Sequence, residues 1–282
     1  MILPFLGHSQ TKDLARHTKP YDLILSSDIS KSSDGTEKIT QEISEVGATW
    51  LRLFFDDVDL GSNGTITITS NLDGAIQTLN SKTIEEWNNS SAYFNGEAVT
   101  VTLSKDIGGK TTSIRVSELS VGDVDPSVKS QCGSVDDRVD SNDAAIGRMV
   151  PVGCTGWIIR NGRLVTAGHC VGNSAQVIEF NVPKSNPNRS IVHPGPEDQY
   201  PIGNFVSPFP NNPSQATDWA VFTASNNSQT GLSPIQAQGR SFNVVQDAPG
   251  ANITITGFGT DTGIDNQTQQ IHTGPLLSLI HI

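Results

Sequence analysis

The chain is poor in charge and has no long apolar run. Only 17% of its 282 residues are charged, and acidic residues exceed basic ones to give a formal net charge of −11. Binding to nucleic acid or to an anionic membrane surface needs a basic face, so neither is an expected partner. No stretch approaches the roughly 18 apolar residues of a membrane-spanning helix, so no membrane span is expected.

Cysteine and clustered histidine are also scarce. The three cysteines form an odd set, which leaves at least one thiol without an intramolecular partner. The six histidines lack the cysteine or carboxylate spacing of a metal centre. We therefore expect neither a metal nor a cofactor, and we interpret His193 and His272 as surface polar residues.

One hairpin can be predicted from local rules. Two β-rich runs, 155–160 and 163–167, flank Asn161-Gly162. Asn-Gly between such runs is a strong signal for a two-residue turn, because both residues tolerate positive φ. The prediction is a two-residue turn that places Arg160 opposite Arg163.

Continued pairing along this hairpin places Cys154 opposite His169 and beside Cys170. The two cysteines would then lie within the few ångströms that a disulfide needs. We predict the bridge Cys154–Cys170, which closes a short loop and should stabilise the fold by roughly 3 kcal/mol. This pairing leaves Cys132 without a disulfide partner among the three cysteines. The alternative is a pair of buried thiols in a cytosolic protein.

Four segments carry a family resemblance. Residues 154–159, 165–170 and 218–221 resemble the trypsin/chymotrypsin-like serine peptidases, with the greatest likeness to the secreted bacterial branch, and Gly257-Phe258-Gly259 resembles the start of the second barrel of that family. The resemblance covers about residues 145–276. It implies an all-β fold, in which an N-terminal antiparallel β-sandwich precedes the first barrel, and the start of the second, of a trypsin-like double β-barrel.

The same resemblance implies catalytic roles for two residues. His169 would be the general base, and Asp218, which follows after 49 positions, would orient its imidazole. A histidine suits this role because its unperturbed pKa lies near neutral pH. The alternative for Asp218 is a solvated carboxylate at a strand edge. The implied substrates are proteins or peptides.

The nucleophile that the resemblance implies is missing. The family carries its serine in Gly-(Asp/Asn)-Ser-Gly, and no serine after Asp218 has those flanking glycines. Ser174, within Gly172-Asn173-Ser174-Ala175, imitates the motif but lies only five residues after His169, so we interpret it as a decoy. We expect no nucleophilic serine in this chain, and no peptidase activity from it as written.

The last six residues offer an explanation. Residues 277–282 read Leu-Ser-Leu-Ile-His-Ile, the in-frame translation of a transposon end used to build sequencing libraries. The hypothesis is adaptor read-through on a gene fragment, and the alternative is a natural apolar tail. Truncation would also remove a partner for Cys132. Residues 1–7 are too short for a signal peptide, so secretion is expected from the disulfide and the resemblance.

The N-terminal part is predicted as a separate β domain. Residues 37–121 contain short alternating runs such as 98–103, separated by turn signals, which is typical of an antiparallel sandwich. Residues 83–87 are predicted as a brief helix capped by Ser81 or Thr83. This part is interpreted as an accessory or pro-domain, and a polysaccharide or a cell surface is its expected contact.

The remaining segments are predicted to be irregular. Residues 1–36 are interpreted as a leader, 122–144 as an acidic linker and 181–213 as a long surface loop rich in proline. Arg138-Val139 is a candidate activation bond, although an ordinary surface arginine is the favoured interpretation.

Three functions therefore remain from the sequence. The first is a secreted serine endopeptidase that acts through an acyl-enzyme. The second is a catalytically dead, peptidase-like binding protein, and the third is a carbohydrate-binding or surface-binding module carried by the sandwich. Retention of both His169 and Asp218 favours the first, because a binding protein has no chemical need for them.

Overall fold

The structure is a computed structural model that describes residues 13–26, 36–106, 111–125, 136–172, 175–209, 211–247 and 250–275. Cys132, Ser174, the N-terminal residues 1–7 and the predicted adaptor segment 277–282 lie outside the described residues. No helix in the described part of the chain is long and apolar enough to cross a membrane.

The N-terminal half is a β-sandwich of two four-stranded antiparallel sheets around one core. The strand orders are β1-β8-β3-β6 and β2-β7-β4-β5. Period-two alternation is clear in strands such as Thr65–Ser70 and the start of Ser113–Gly122, where every second side chain is buried in the shared core. The bounds are β1 Arg16–Ser26, β2 Thr36–Ser44, β3 Trp50–Asp59, β4 Thr65–Ser70, β5 Ile76–Leu79, α1 Ser81–Glu86, β6 Phe94–Asn95, β7 Ala98–Asp106 and β8 Ser113–Gly122.

Two boundaries of the sandwich differ from the prediction. Arg16–Ser26 forms an edge strand on β8, so the interpretation of 1–36 as a leader is wrong for these residues. Its side chains are mostly exposed, which hides the alternation that reveals the other strands. The helix is capped by Asn80, not by Ser81 or Thr83, because the Asn80 side chain accepts hydrogen bonds from two backbone N–H groups at 3.0 Å.

The C-terminal half contains a closed barrel and a small sheet. The barrel order is β10-β11-β12-β15-β14-β13, and the three-stranded sheet has the order β16-β17-β9. The bounds are β9 Val139–Asp140, β10 Ile146–Pro151, β11 Cys154–Ile158, β12 Leu164–Thr166, β13 Ala175–Glu179, β14 Gln199–Val206, β15 Ala220–Ala224, α2 Pro234–Gln238, β16 Asn252–Phe258 and β17 Gln269–Pro275, with 3-10 turns at Gly168–Cys170, Pro196–Asp198, Gln215–Thr217 and Gly263–Asp265. The predicted all-β class and the closed first barrel are confirmed.

The hairpin between β11 and β12 has a longer turn than predicted. Ile159 and Arg163 flank a three-residue loop, with the Ile159 N–H donating to the Arg163 carbonyl at 2.9 Å. Only Gly162 has positive φ, while the Asn161 side chain accepts from the Arg163 N–H. This is the arrangement of a turn followed by a left-handed glycine. The predicted two-residue turn, and the pairing of Arg160 with Arg163, are therefore wrong by one position.

The end of the predicted acidic linker is part of the fold. Val139–Asp140 forms β9 on β17. The Arg138 guanidinium donates to Asp136 at 2.6 Å and to the buried carboxylate of Asp261 at 2.7 Å. Arg138 is thus an ion-paired anchor of the small sheet, and the candidate cleavage bond Arg138-Val139 lies at the start of a strand.

The two halves are joined by a continuous contact surface, which we call the seam. Val150, Val177 and Ile191 of the barrel half belong to the apolar core of the sandwich. Beside them, three side-chain amides each exchange two hydrogen bonds with the backbone of one residue in the other half, at 2.9–3.2 Å. The pairs are Asn95 with His193, Gln199 with Tyr93, and Gln229 with Thr78.

A buried ionic cluster lies at the seam. The Arg148 guanidinium donates to Glu179 at 2.9 Å, and His193 Nδ1 lies 2.5 Å from the other oxygen of the same carboxylate. Burial raises the pKa of Glu179, but the charges and hydrogen bonds of His193 and Arg148 outweigh it and leave that pKa lowered. Burial lowers the pKa of His193 by more than Glu179 raises it.

The prediction that His193 is a surface residue, within a surface loop 181–213, is therefore wrong. His193 is 1% exposed and stacks on Tyr93 with ring centroids 4.5 Å apart. The loop also contains β14, whose Tyr200 is fully buried. His272 is half-buried, and its Nδ1 lies 3.2 Å from the carboxylate of Asp137.

Candidate active site

The β11–β12 hairpin carries His169 to one end of the barrel. β12 is held on both sides, by β11 and by β15, and the Thr166 hydroxyl donates to the Thr155 carbonyl at 2.8 Å. The chain then enters the 3-10 turn Gly168–Cys170, which contains the histidine. A central strand followed directly by a tight turn fixes the backbone that bears the imidazole.

The turn is covalently attached to the neighbouring strand. Cys154 at the start of β11 and Cys170 at the end of the turn form a disulfide, with Cα atoms 6.2 Å apart. The predicted bridge is confirmed. It closes a loop of 16 positions around the hairpin and thereby restrains His169 next to it.

Asp218 meets His169 from the other side. It follows the 3-10 turn Gln215–Thr217 and precedes β15. Its carboxylate oxygens lie 2.9 and 2.8 Å from His169 Nδ1, and it also accepts the His169 backbone N–H at 2.8 Å. Both side chains are about a quarter exposed, at 23% and 28%. The structure thus brings together the two residues that the sequence predicted, and the alternative of a solvated edge carboxylate does not describe Asp218.

This geometry selects one tautomer of the imidazole. A carboxylate accepts but does not donate, so in the neutral form of the ring Nδ1 carries the proton and Nε2 keeps its lone pair. Among the described residues, Nε2 of His169 has no hydrogen-bond partner. The arrangement presents a basic nitrogen that is accessible to a hydroxyl group.

Two residues of the site were not predicted. Ser207 donates its hydroxyl to the Trp219 carbonyl at 2.7 Å, and the Phe209 ring lies edge-on to His169 with centroids 6.2 Å apart. The space around Gly168 is fully occupied. A Cβ atom at this position would lie 2.5 Å from Phe209 Cβ, 2.9 Å from the Trp219 backbone nitrogen and 3.0 Å from the Ser207 hydroxyl oxygen. No sequence signal reveals Ser207 or Phe209, because both lie in an irregular, proline-rich stretch far from His169 in sequence.

The structure gives local roles to serines after Asp218. Ser233 caps α2, where Gln236 reaches back to it, and Ser228 accepts a hydrogen bond from Gln229. Neither contacts His169. The prediction that the chain holds no nucleophilic serine remains a prediction.

The atoms around His169 do not form a metal centre. Its ring nitrogen and the sulfurs of Cys154 and Cys170 lie within 4.8 Å of one another. Both sulfurs are in the disulfide, and metal binding by cysteine requires a thiolate. The three residues therefore cannot act together as ligands while the bridge is intact.

Residues 140–279 match the family model described as Trypsin. This segment belongs to the trypsin family. The match begins five residues before the predicted peptidase boundary at 145 and extends into the predicted adaptor segment 277–282. No curated protein matches the chain significantly.

Solved structures similar to the chain include two proteases. One is a thermostable serine protease, AL20, from an extremophilic microorganism, with 17% identity and a TM-score of 0.37, over 47% of this chain and 66% of that one. The other is the protease Anisep from Arthrobacter nicotinovorans, with 18% identity and a TM-score of 0.36, over 49% of this chain and 67% of that one. The chain thus spans about two thirds of the length of each protease.

Proposed function

We propose that this trypsin-family chain carries the general base and the orienting carboxylate of a secreted serine endopeptidase. The observation that supports this is the pair His169–Asp218, in which the carboxylate holds both Nδ1 and the backbone N–H of the histidine at 2.8–2.9 Å. Two bonds to one carboxylate fix the position and the tautomer of the ring. A residue that served only to stabilise the fold would not need an open Nε2.

The proposed reaction is hydrolysis of a peptide bond in two steps. A serine hydroxyl attacks the peptide carbonyl while its proton passes to His169 Nε2, and the imidazolium that forms is stabilised by Asp218. His169 then donates the proton to the leaving amine, and water releases the acyl group from the serine by the same route. Since no serine in this chain has the flanking glycines of the family, we propose that the nucleophile lies outside residues 1–282 and that this chain alone is inactive.

Secretion is part of the proposal. The Cys154–Cys170 disulfide supports it, because such bridges persist in oxidising compartments and are rare in the cytosol. Contact of the sandwich with a polysaccharide or a cell surface stays a prediction.

The decisive experiment uses the gene downstream of residue 282. The extended chain should hydrolyse labelled casein and react with a fluorophosphonate. Asp218→Asn should lower the catalytic rate by about 10⁴-fold, because it favours the wrong tautomer of His169. The 282-residue chain should show neither activity.

Two outcomes would count against this proposal. An extended frame without a Gly-(Asp/Asn)-Ser-Gly motif would favour the binding-protein alternative. Casein hydrolysis by the pure 282-residue chain, blocked by a serine-directed inhibitor, would show that the nucleophile is within it.

A further inference from the structure

A cleft of about 390 Å³ lies at the seam and is lined by both halves of the molecule. The sandwich contributes Arg52, Phe54 and Ser90, and the barrel contributes Gly172 and Gln176. We call it the seam cleft. Among its described lining residues, Arg52 is the only charged side chain, and none is acidic.

The charge of Arg52 is buried without an anion. Arg52 is 3% exposed. Its Nε donates to the Ser91 carbonyl at 2.9 Å, Nη1 to the Tyr93 hydroxyl at 3.2 Å and to Gln176, and Nη2 to the Ser90 hydroxyl at 2.8 Å. All these acceptors are neutral, and Arg52 forms no ion pair with a carboxylate in the described part of the chain. Nη2 has this one acceptor among the described residues, which leaves one of its two hydrogens for a ligand.

The guanidinium is also fixed in orientation. Its central carbon lies 5.2 Å from the centroid of the Phe54 ring and 4.9 Å from that of Tyr93, distances typical of cation–π contacts. Rings stabilise a cation but do not neutralise it. A planar, pre-oriented guanidinium is the side chain best suited to a carboxylate, because its fork of N–H donors matches the two oxygens.

The neighbouring ionic cluster does not supply the missing anion. The Glu179 carboxylate is already shared by Arg148 and His193. Two guanidiniums, of Arg52 and Arg148, and one carboxylate, of Glu179, lie buried at the seam. The guanidiniums therefore exceed the carboxylates by one. A buried charge is costly unless it is paired, which makes the seam cleft a place where an incoming anion is favoured.

The seam cleft lies close in sequence to the candidate base. Gly172, in its wall, is the third residue after His169. Three residues span at most about 11 Å, so the wall of the seam cleft at Gly172 lies within that distance of the backbone of His169. We propose that the seam cleft binds a carboxylate, presented by an acidic side chain of a polypeptide that is held at the active site. The polypeptide part of this inference rests on the proposed peptidase function.

Binding can be tested without catalysis, on the full 282-residue chain. The probes are two labelled alanine-rich peptides, one with a single glutamate and one with glutamine in its place, and affinity is read by fluorescence anisotropy. The glutamate peptide should bind at least about tenfold more tightly, as expected of a charge-assisted hydrogen bond. Equal affinity for the two peptides would overturn the proposal.

A variant can supply the missing anion from within. Gln176→Glu places a carboxylate where the amide oxygen now accepts from Arg52. It should raise the melting temperature and abolish the preference for the glutamate peptide. The matched control, Gln41→Glu, makes the same charge change at an exposed position of β2 and should keep the preference. If Gln176→Glu lowers the melting temperature and leaves the preference unchanged, Arg52 needs no anion and the proposal is wrong.

Two further ligands identify the source of the anion. Succinate should compete only at concentrations far above that of the peptide; competition as strong as the peptide's would assign the site to a free small carboxylate. Inorganic phosphate should compete no better than succinate, and stronger competition would overturn the assignment to a carboxylate. Failure of the extended chain to hydrolyse casein would reject the peptidase function but would leave these binding results unchanged.

Discussion

Gln199 of the barrel and Tyr93 of the sandwich hold each other by two hydrogen bonds. The Gln199 side-chain carbonyl accepts the Tyr93 N–H, and its amide donates to the Tyr93 carbonyl, both at 2.9 Å. The amide thus takes the place that a neighbouring strand would have. Through such pairs the two halves are continuous in hydrogen bonding as well as in apolar core.

We predict that Gln199→Leu destabilises the molecule by about 2 to 4 kcal/mol, because the N–H and the carbonyl of Tyr93 lose their partners in a buried position. Urea unfolding measures this loss. Gln229→Leu breaks the same kind of pair with Thr78 at a half-buried position. Water can reach that site, so the loss there should be smaller, at about 1 kcal/mol. Equal losses of stability in the two variants would show that burial does not increase the contribution of the Gln199–Tyr93 pair to the free energy of unfolding.

The second prediction concerns acid. His193 faces Glu179, Arg148, Arg52 and Tyr93, and burial lowers its pKa below the ordinary value of 6.5. A histidine with a lowered folded-state pKa takes up its proton more readily when unfolded. Its contribution is therefore fully present above about pH 6.5 and is lost as the pH falls below that value. The free energy of unfolding should fall by up to about 1.4 kcal/mol per pH unit there.

The measurement is urea unfolding between pH 5 and pH 7. His193→Gln removes the titrating ring and should flatten this dependence. If the free energy of unfolding depends on pH in the same way in the wild type and the variant, His193 is not the source of that dependence. The lowered pKa of Glu179 adds a loss of the same sign, but only below its ordinary value of 4.5.

A third prediction concerns the disulfide. Replacing both Cys154 and Cys170 by alanine should cost roughly 3 kcal/mol of stability, because the unfolded chain is no longer restrained by the loop. Thermal unfolding with and without reductant measures this. Cys132→Ser should leave the bridge intact under non-reducing mass spectrometry, and a new pairing in that variant would contradict the assignment.

The fourth prediction concerns the glycine before the base. Gly168→Ala forces a methyl group within 2.5 Å of Phe209 Cβ. We expect a loss of about 1 to 3 kcal/mol and a weakened His169–Asp218 bond, seen as loss of the hydrogen-bonded Nδ1 proton signal in NMR spectra. Gly250→Ala is the matched control, since its nearest neighbour would be 3.7 Å away. An unchanged Nδ1 signal in Gly168→Ala would show that the turn tolerates the displacement.

The sequence alone identified the elements whose information is local. Period-two alternation predicted a strand at 98–103, which lies within the observed strand Ala98–Asp106. The Asn161-Gly162 pair predicted a hairpin, although its turn was one residue longer. The pattern around His169, Cys170 and Asp218 predicted a base, a disulfide and an orienting acid, and the structure brings these groups together. Short-range sterics and recurrent motifs carry these features, so a single chain suffices to read them.

Only the tertiary structure decided the features that depend on partners distant in sequence. The sequence around His193 predicts a surface residue, but in the structure Tyr93 and Glu179 enclose its ring. Arg16–Ser26 has too little alternation to predict a strand, and its pairing with β8 is visible only in the structure. The seam and the unpaired charge of Arg52 likewise arise from residues that are far apart in the chain. Burial and pairing are properties of the folded surroundings of a side chain, and the residue itself does not encode them.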